Sequence, residues 1–250
     1  MLNTVYRLVE PRRIESEFSN IDVNGDSVLV RPTHLSICNA DQRYFQGTRP
    51  PEVLKKKLPM ALIHEAIGEV IYDPKGDFES GQKVVMVPNT PMEEDDIVAE
   101  NYLRSSKFRA SGFDGFMQDI VAMRRDRVVA VPDGIDDYVA AFTELVSVSY
   151  HAIDRFDRKA HGRRDVLGVW GDGNLAFITS LLLKKRFPES KVYIFGKHEY
   201  KMDDFVFADE TFFIDAIPED LRIDHGFECV GKAGSGTSIN QIIDYINPEG

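Results

Sequence analysis

The stretch that decides the fold runs Val166-Leu167-Gly168-Val169-Trp170-Gly171-Asp172-Gly173-Asn174-Leu175-Ala176. Its first five residues predict a short buried strand, Val166–Trp170, and the two glycines predict a tight turn at Gly171–Gly173. A helical pattern follows over Leu175–Lys185, then a second strand over Lys191–Phe195. Phe227–Val230 and Ser238–Ile246 repeat the alternation of strand and helix, which implies a parallel sheet of the α/β class. Gly171 permits the turn, Gly173 lets a pyrophosphate approach the backbone, and the small Ala176 lets the helix pack close. The helix N-terminus at Asn174 and Leu175 then faces the phosphates, so the turn reads as a dinucleotide site. A carboxylate that binds the ribose hydroxyls of NAD would stand about 20 residues further on. Here that segment is Phe195-Gly196-Lys197-His198, with no carboxylate before Glu199. Lys197 stands where the extra phosphate of NADP could sit, or is a solvated surface lysine; the missing acid and the present base favour NADP.

Upstream of the turn the pattern is different. Thr4–Val9, Val28–Val30, Ala66–Ile71 and Val84–Val87 are short β-branched runs bounded by Pro, Gly, Asp or Asn, so the first 130 residues or so read as β-rich. Glu93, Glu94, Asp95, Asp96 and Glu100 mark an exposed loop within Met92–Asn101. From Asp136 to Phe156 apolar residues recur at helical spacing, with acidic residues at the start. The expected division is two domains, 1–150 and 151–250.

Composition narrows the function classes. With Lys+Arg 30 against Asp+Glu 41 the net charge is -11, which argues against a nucleic-acid binder. A 43% hydrophobic content supports a real core. The longest apolar stretch, Leu175 to Leu183, contains a Thr and a Ser and is far short of the ~20 residues of a membrane span. The N-terminus lacks a secretory-signal pattern, and two cysteines cannot build a disulfide framework. The expectation is a soluble, cytoplasmic protein.

One cysteine has company. Cys38 in Ile37-Cys38-Asn39-Ala40-Asp41 lies 26 residues before His64 in Ile63-His64-Glu65-Ala66-Ile67-Gly68-Glu69-Val70. Thiolate, imidazole and carboxylate are zinc donors, and a catalytic zinc keeps one position open. The same residues also suit a small buried cysteine and a surface His-Glu pair. Arg43 and Arg49 flank this region and could bind a sugar phosphate in bidentate fashion, or form surface salt bridges. Lys55-Lys56-Lys57 and Arg124-Arg125 read as solvated faces, and Cys229 as inert packing in a buried strand.

A Cys-x-x-Asp motif, then His-Glu-Ala-x-Gly-x-Val, then a glycine-turn nucleotide fold is an order that resembles the zinc-containing medium-chain dehydrogenases. Cys38-Asn39-Ala40-Asp41-Gln42-Arg43-Tyr44-Phe45 is similar to their polyol branch, including the Tyr six residues after the Cys. Thr143-Glu144-Leu145-Val146-Ser147-Val148 resembles a segment of that branch whose Glu faces the metal. Gly112-Phe113-Asp114-Gly115-Phe116, Val131-Pro132-Asp133 and Phe227-Glu228-Cys229-Val230-Gly231 also fall where that family has similar segments. Within the family, Leu58-Pro59-Met60, Met86-Val87-Pro88-Asn89-Thr90-Pro91, His64-Glu65 and Trp170 to Leu175 look most like the ribitol-5-phosphate dehydrogenases of CDP-ribitol and teichoic acid synthesis.

That resemblance implies a GroES-like catalytic domain and a Rossmann-type doubly wound sheet, cut short at its C-terminal end. It implies one catalytic zinc per chain, with Cys38, His64 and Glu144 on ligand positions and Glu65 a ligand or a close partner. Asp41 would orient His64. NADPH would lie on Gly171, Gly173, Asn174, Leu175, Gly196, Lys197 and Val230. Ribulose 5-phosphate would meet Arg43, Tyr44 and Arg49, and a cytidylyltransferase and a homo-oligomer are the implied partners. Two departures stand out. Ala40 replaces the Ser or Thr that relays a proton in many relatives, and Met92–Ser111 lacks the cysteines that hold a second, structural zinc. The alternatives are an NAD-dependent dehydrogenase of an unphosphorylated polyol and a non-catalytic nucleotide-binding relative.

Overall fold

In the computed structural model the chain is described over residues 1–23, 25–231 and 234–250. Its contacts divide into two units, Met1–Glu144 and Leu145–Gly250.

The first unit begins with β1 (Leu2–Glu10), β2 (Arg13–Asn20) and β3 (Ser27–Ser36). Two short helices follow, α1 (Asn39–Phe45) and α2 (Pro51–Lys57), then β4 (Met60–Ala61), β5 (Glu65–Tyr72) and β6 (Lys83–Met86). A hairpin of β7 (Asn89–Thr90) and β8 (Lys107–Phe108), then β9 (Val121–Arg124), β10 (Val128–Ala130) and the helical turn α3 (Asp137–Ala140) complete it. One antiparallel sheet has the order β10-β6-β5-β3-β9 and another β2-β1-β4. Alternate residues point inward, as period-2 burial requires. Val28, Val30, Ala66, Val70, Val84, Met86, Val121 and Met123 close on Phe116 in one core.

The long helical reading from Asp136 breaks into two. Asp136 caps α3 by accepting the amides of Tyr138 and Val139 at 2.9 and 3.2 Å. The Thr143 hydroxyl then donates to the Ala140 carbonyl at 2.6 Å, where α4 (Thr143–Lys159) begins.

Within the two runs of cations, Lys57, Arg124 and Arg125 make structural contacts, while Lys55 and Lys56 are exposed as expected. Lys57 Nζ donates to the Ser111 carbonyl at 3.0 Å and to its hydroxyl at 2.7 Å. Arg125 binds Asp73 at 2.5 Å and Asp77 at 2.8 Å, while Arg124 binds Asp126 at 2.5 Å. Arg127 on Glu100 at 2.5 Å and Ser105 on Glu93 at 2.6 Å tie down the acidic lobe after β7.

The second unit holds β11 (Val166–Trp170), α5 (Asn174–Arg186), β12 (Lys191–Gly196), α6 (Glu199–Met202), β13 (Glu210–Phe213), β14 (His225–Glu228) and α7 (Ser235–Tyr245). Its parallel sheet has the order β13-β12-β11-β14, so strand order reverses beside β11. Nucleotides bind at the carboxyl ends of strands at such a reversal. Leu167, Val169, Val192 and Ile194 pack against Ala176 and Leu183 of α5, while Trp170 stacks on Phe195 at 3.9 Å. β14 ends two residues before the expected Val230, because Glu228 Oε1 takes the amides of Val230 and Gly231 at 2.8 and 2.7 Å. No helix among the described residues is long and apolar enough to cross a membrane.

At the start of β14, His225 packs edge-on against Phe156 at 4.8 Å and tilts over His161 at 4.4 Å. Its Nε2–H donates to the Arg163 carbonyl at 3.0 Å. Burial first, and the charge of His161 second, lower its pKa from the ordinary 6.5. The folded chain therefore binds this proton less readily than the unfolded chain, so the group's stabilisation is present above about pH 6.5 and lost as pH falls below it. The melting temperature should drop between pH 7.5 and pH 5.5 (about the window set by an ordinary histidine), and His225→Phe should flatten the drop. An equal drop in the variant would assign the acid sensitivity to other groups.

Candidate metal centre and nucleotide turn

Cys38 immediately precedes α1 with extended backbone angles, φ -77° and ψ 156°, which lets the chain turn from β3 into the helix. Asp41, in the first turn, reaches back to accept the Cys38 amide at 3.1 Å. Its other oxygen accepts the Ile63 amide at 2.9 Å, so one buried carboxylate ties the segment of Cys38 to that of His64. Asp41 Oδ2 lies 3.7 Å from His64 Nδ1, too far for a direct hydrogen bond but on the expected ring nitrogen. Nε2 faces Glu65, 3.9 Å from Oε1.

Cys38, His64 and Glu65 each offer one donor atom, all within 4.8 Å of one another. Glu65 is 1% exposed, and neither of its oxygens has a hydrogen-bond partner. A buried carboxylate without a partner is costly unless a cation compensates it. Burial, and then the charges of Glu65 and Asp41, push the Cys38 thiol up to about 11. Burial likewise raises Asp41. Glu144 stands outside the three-residue group, yet burial and the charges of Glu65 and Asp41 push it up to about 7. At Cys38 and Glu144 the charges of Glu65 and Asp41 add to the effect of burial, and a divalent cation would reverse the sign of that local field. The donor set therefore fits zinc, with Glu65 the carboxylate that converges with the thiol and imidazole.

The backbone before His64 is strained. Ile63 has φ +71°, a left-handed conformation that a β-branched residue rarely adopts and that costs on the order of 1–3 kcal/mol. Besides Asp41, the segment 115–117 holds it: Gly115, Phe116 and Met117 donate to the carbonyls of Ala61, Ile63 and Leu62 at 2.8, 2.7 and 3.2 Å. A Cβ on Gly115 would lie 2.3 Å from the Ile63 carbonyl, so only glycine permits the approach. Phe108 packs against the His64 ring at 5.4 Å.

The arginines separate. Arg49 spreads its guanidinium over the Tyr44 ring at 4.7 Å, and its Nε is buried without a hydrogen-bond partner. Tyr44 itself is 3% exposed, and its ring belongs to the core and seats Arg49. Arg43, on α1, is half-buried. Neither arginine forms a salt bridge among the described residues.

In the second unit Gly171 has φ +133°, and a Cβ there would sit 3.2 Å from the Cys229 carbonyl group and 3.3 Å from Ala176 Cβ. Glycine here lets β11 turn into α5 while β12 and β14 close in. The Gly171 amide donates to the Phe195 carbonyl, and the Cys229 amide to the Trp170 carbonyl, each at 2.8 Å. Nothing lies within 4 Å of a Cβ placed on Gly173, which leaves its backbone open to a ligand. A hollow of about 480 Å³ lies beside it, lined by Asp172, Gly173, Asn174, Phe177, Lys201, Asp204 and Phe205. Gly196 is buried, Lys197 exposed and Val230 42% exposed at the strand ends around this turn. The Cys229 thiol is pushed up to about 11 by burial, so it is inert.

Residues 24–133 match the alcohol dehydrogenase GroES-like domain. The whole chain is 58% identical to ribulose-5-phosphate reductase 1 of Staphylococcus aureus, spanning 73% of that protein. The chain belongs to the ribulose-5-phosphate reductase family. Its counterpart in Streptococcus pneumoniae is 47% identical over 252 residues, 72% of its length. The crystal structure of S. aureus TarJ in complex with NADPH superposes with a TM-score of 0.85 at 52% identity, covering 100% of this chain and 71% of that one.

In this reductase the sequence reading missed two residues near the glycine turn. Lys201, on α6, lines the hollow, and Lys197 does not. Asp172, the residue between the glycines, reaches across to the segment after β12. The bare spacing of a glycine turn signals neither.

Proposed function

We propose that the chain catalyses the NADPH-dependent, zinc-dependent reduction of D-ribulose 5-phosphate to D-ribitol 5-phosphate. The observation that carries the chemical half of this reading is the buried Glu65 carboxylate, without a hydrogen-bond partner, beside Cys38 and His64, a donor set suited to a divalent cation. Kinship with the ribulose-5-phosphate reductases supports the substrate and the nucleotide.

Cys38, His64 and Glu65 would hold zinc, which when bound supplies a Lewis acid for the ketone oxygen. Asp41 and the clamp at Gly115–Met117 hold the histidine-bearing segment in place, which preorganises the centre. Gly173 and the amides opening α5 offer the pyrophosphate a surface, and Lys197 and Lys201 offer cations to the 2′-phosphate. Arg49, braced on Tyr44, offers free donors to the sugar phosphate, with Arg43 as second candidate. With Ala40 where many relatives carry a hydroxyl, the proton does not pass through that position.

Ribitol 5-phosphate would be consumed by a cytidylyltransferase on the way to CDP-ribitol, in the cytoplasm, and the working form would be a homo-oligomer. These three points rest on the sequence resemblance. Oxidation of NADPH by the purified chain on addition of ribulose 5-phosphate, with ribitol 5-phosphate identified as product, tests the reading. Dialysis against a chelator should abolish the activity and added zinc restore it. Activity that survives complete metal removal overturns the zinc assignment.

A further inference from the structure

Asp172 sits between the two glycines, yet its partners lie beyond the next strand. Its Oδ2 accepts the amides of Lys197 and His198, both at 2.9 Å, and faces His198 Nδ1 at 2.8 Å. The side chain is 14% exposed. Burial alone would raise its pKa, but these donors hold it below the usual carboxylate range. Gly196 makes room for the contact, since a Cβ there would come within 3.1 Å of the Asp172 Cβ. One carboxylate thus ties the segment carrying Lys197, His198 and Lys201 onto the glycine turn.

A carboxylate at the end of the second strand selects NADH, because it accepts the ribose hydroxyls and repels a 2′-phosphate. Asp172 brings a carboxylate into this neighbourhood from the other side, but its Oδ2 is already occupied by two amides and an imidazole. We propose that Asp172 is a positioning residue for NADPH selection: it fixes the cation-bearing segment against the glycine turn. This rests on the NADPH reading above. Without the tie, Lys197 and Lys201 would have to be ordered by the ligand itself, and that ordering reduces affinity.

The test uses Asp172→Ala and Asp172→Asn in the full chain, with NADPH and NADH dissociation constants from calorimetry. Asp172→Ala should weaken NADPH by about fivefold or more and NADH by less than about twofold, the range for losing hydrogen bonds to a charged group. In turnover the loss should fall on KM for NADPH and not on kcat. Asp172→Asn keeps an acceptor for the two amides and should restore much of the NADPH affinity. Equal losses for both nucleotides, or an unchanged NADPH constant in Asp172→Ala, would overturn the inference. A parent chain that binds NADH more tightly would overturn the NADPH reading itself, so the two failures are separable.

Discussion

Cys38→Ser and His64→Ala are each expected to leave the protein without bound zinc and to lower turnover by about 10³-fold or more, since the lost Lewis acid contributes several kcal/mol to the barrier. The reason is the economy of the centre. Three donors converge within 4.8 Å, and removing one leaves two, too few to hold zinc in competition with water. NADPH affinity should stay within about twofold of the parent, because the glycine turn belongs to the other unit. Metal analysis, calorimetry with NADPH and steady-state rates check the three parts separately. The carboxylates can be told apart in the same series. Glu65→Gln should lose zinc yet raise the melting temperature of the metal-free protein, because it removes a buried charge with no partner. Glu144→Gln should retain zinc, as Glu144 lies outside the converging group. Full activity in Cys38→Ser, or two zinc ions per chain, would refute the assignment.

The parts of the fold that were legible in the sequence are the strands whose apolar side chains are buried. Val84–Val87 at β6 buries alternate residues, while Val28–Val30 in β3 and the start of Ala66–Ile71 in β5 are buried on both faces and read as apolar runs. β2 was not legible, because it lies at a sheet edge with most residues exposed and reads as polar all round. β13 is the edge of the other sheet, and its first two residues are exposed. Cys38, His64 and Glu65 were legible because zinc accepts few donor types, and the motif spacing brings three of them onto neighbouring segments. The support of that site was not. Nothing in the identity of Ile63 signals a left-handed backbone, since β-branching argues against one, and the conformation is imposed by Asp41 and by Gly115 from far along the chain. The surroundings of Tyr44 were hidden for a related reason. Its spacing from Cys38 does not signal that the packing of α1 buries its ring in the core.

The full enzyme is expected to prefer ribulose 5-phosphate over ribulose by about 10³-fold or more in kcat/KM, and Arg49→Ala to erode that preference by roughly 10–100-fold. A net charge of -11 repels a phosphorylated sugar, so a local cation has to outweigh the general field. Arg49 is suited to this because its guanidinium is already ordered on Tyr44 and makes no salt bridge among the described residues. Preordering means that little side-chain entropy is lost when phosphate binds. A site built around such a group also rejects the unphosphorylated sugar, which would leave buried donors unpaired. Arg43→Ala is the parallel measurement; Arg43 lies on α1 and has no aromatic stacking partner among the described residues, so a smaller erosion is expected there. Arg49→Lys should recover only part of the preference, since an ammonium neither stacks on Tyr44 as a plane nor offers a bidentate fork. The effect should appear for the phosphorylated sugar, with kcat/KM for ribulose changed little. A parent ratio near one would mean that the phosphate is not recognised, and the enzyme would then act on the polyol portion of its substrate alone.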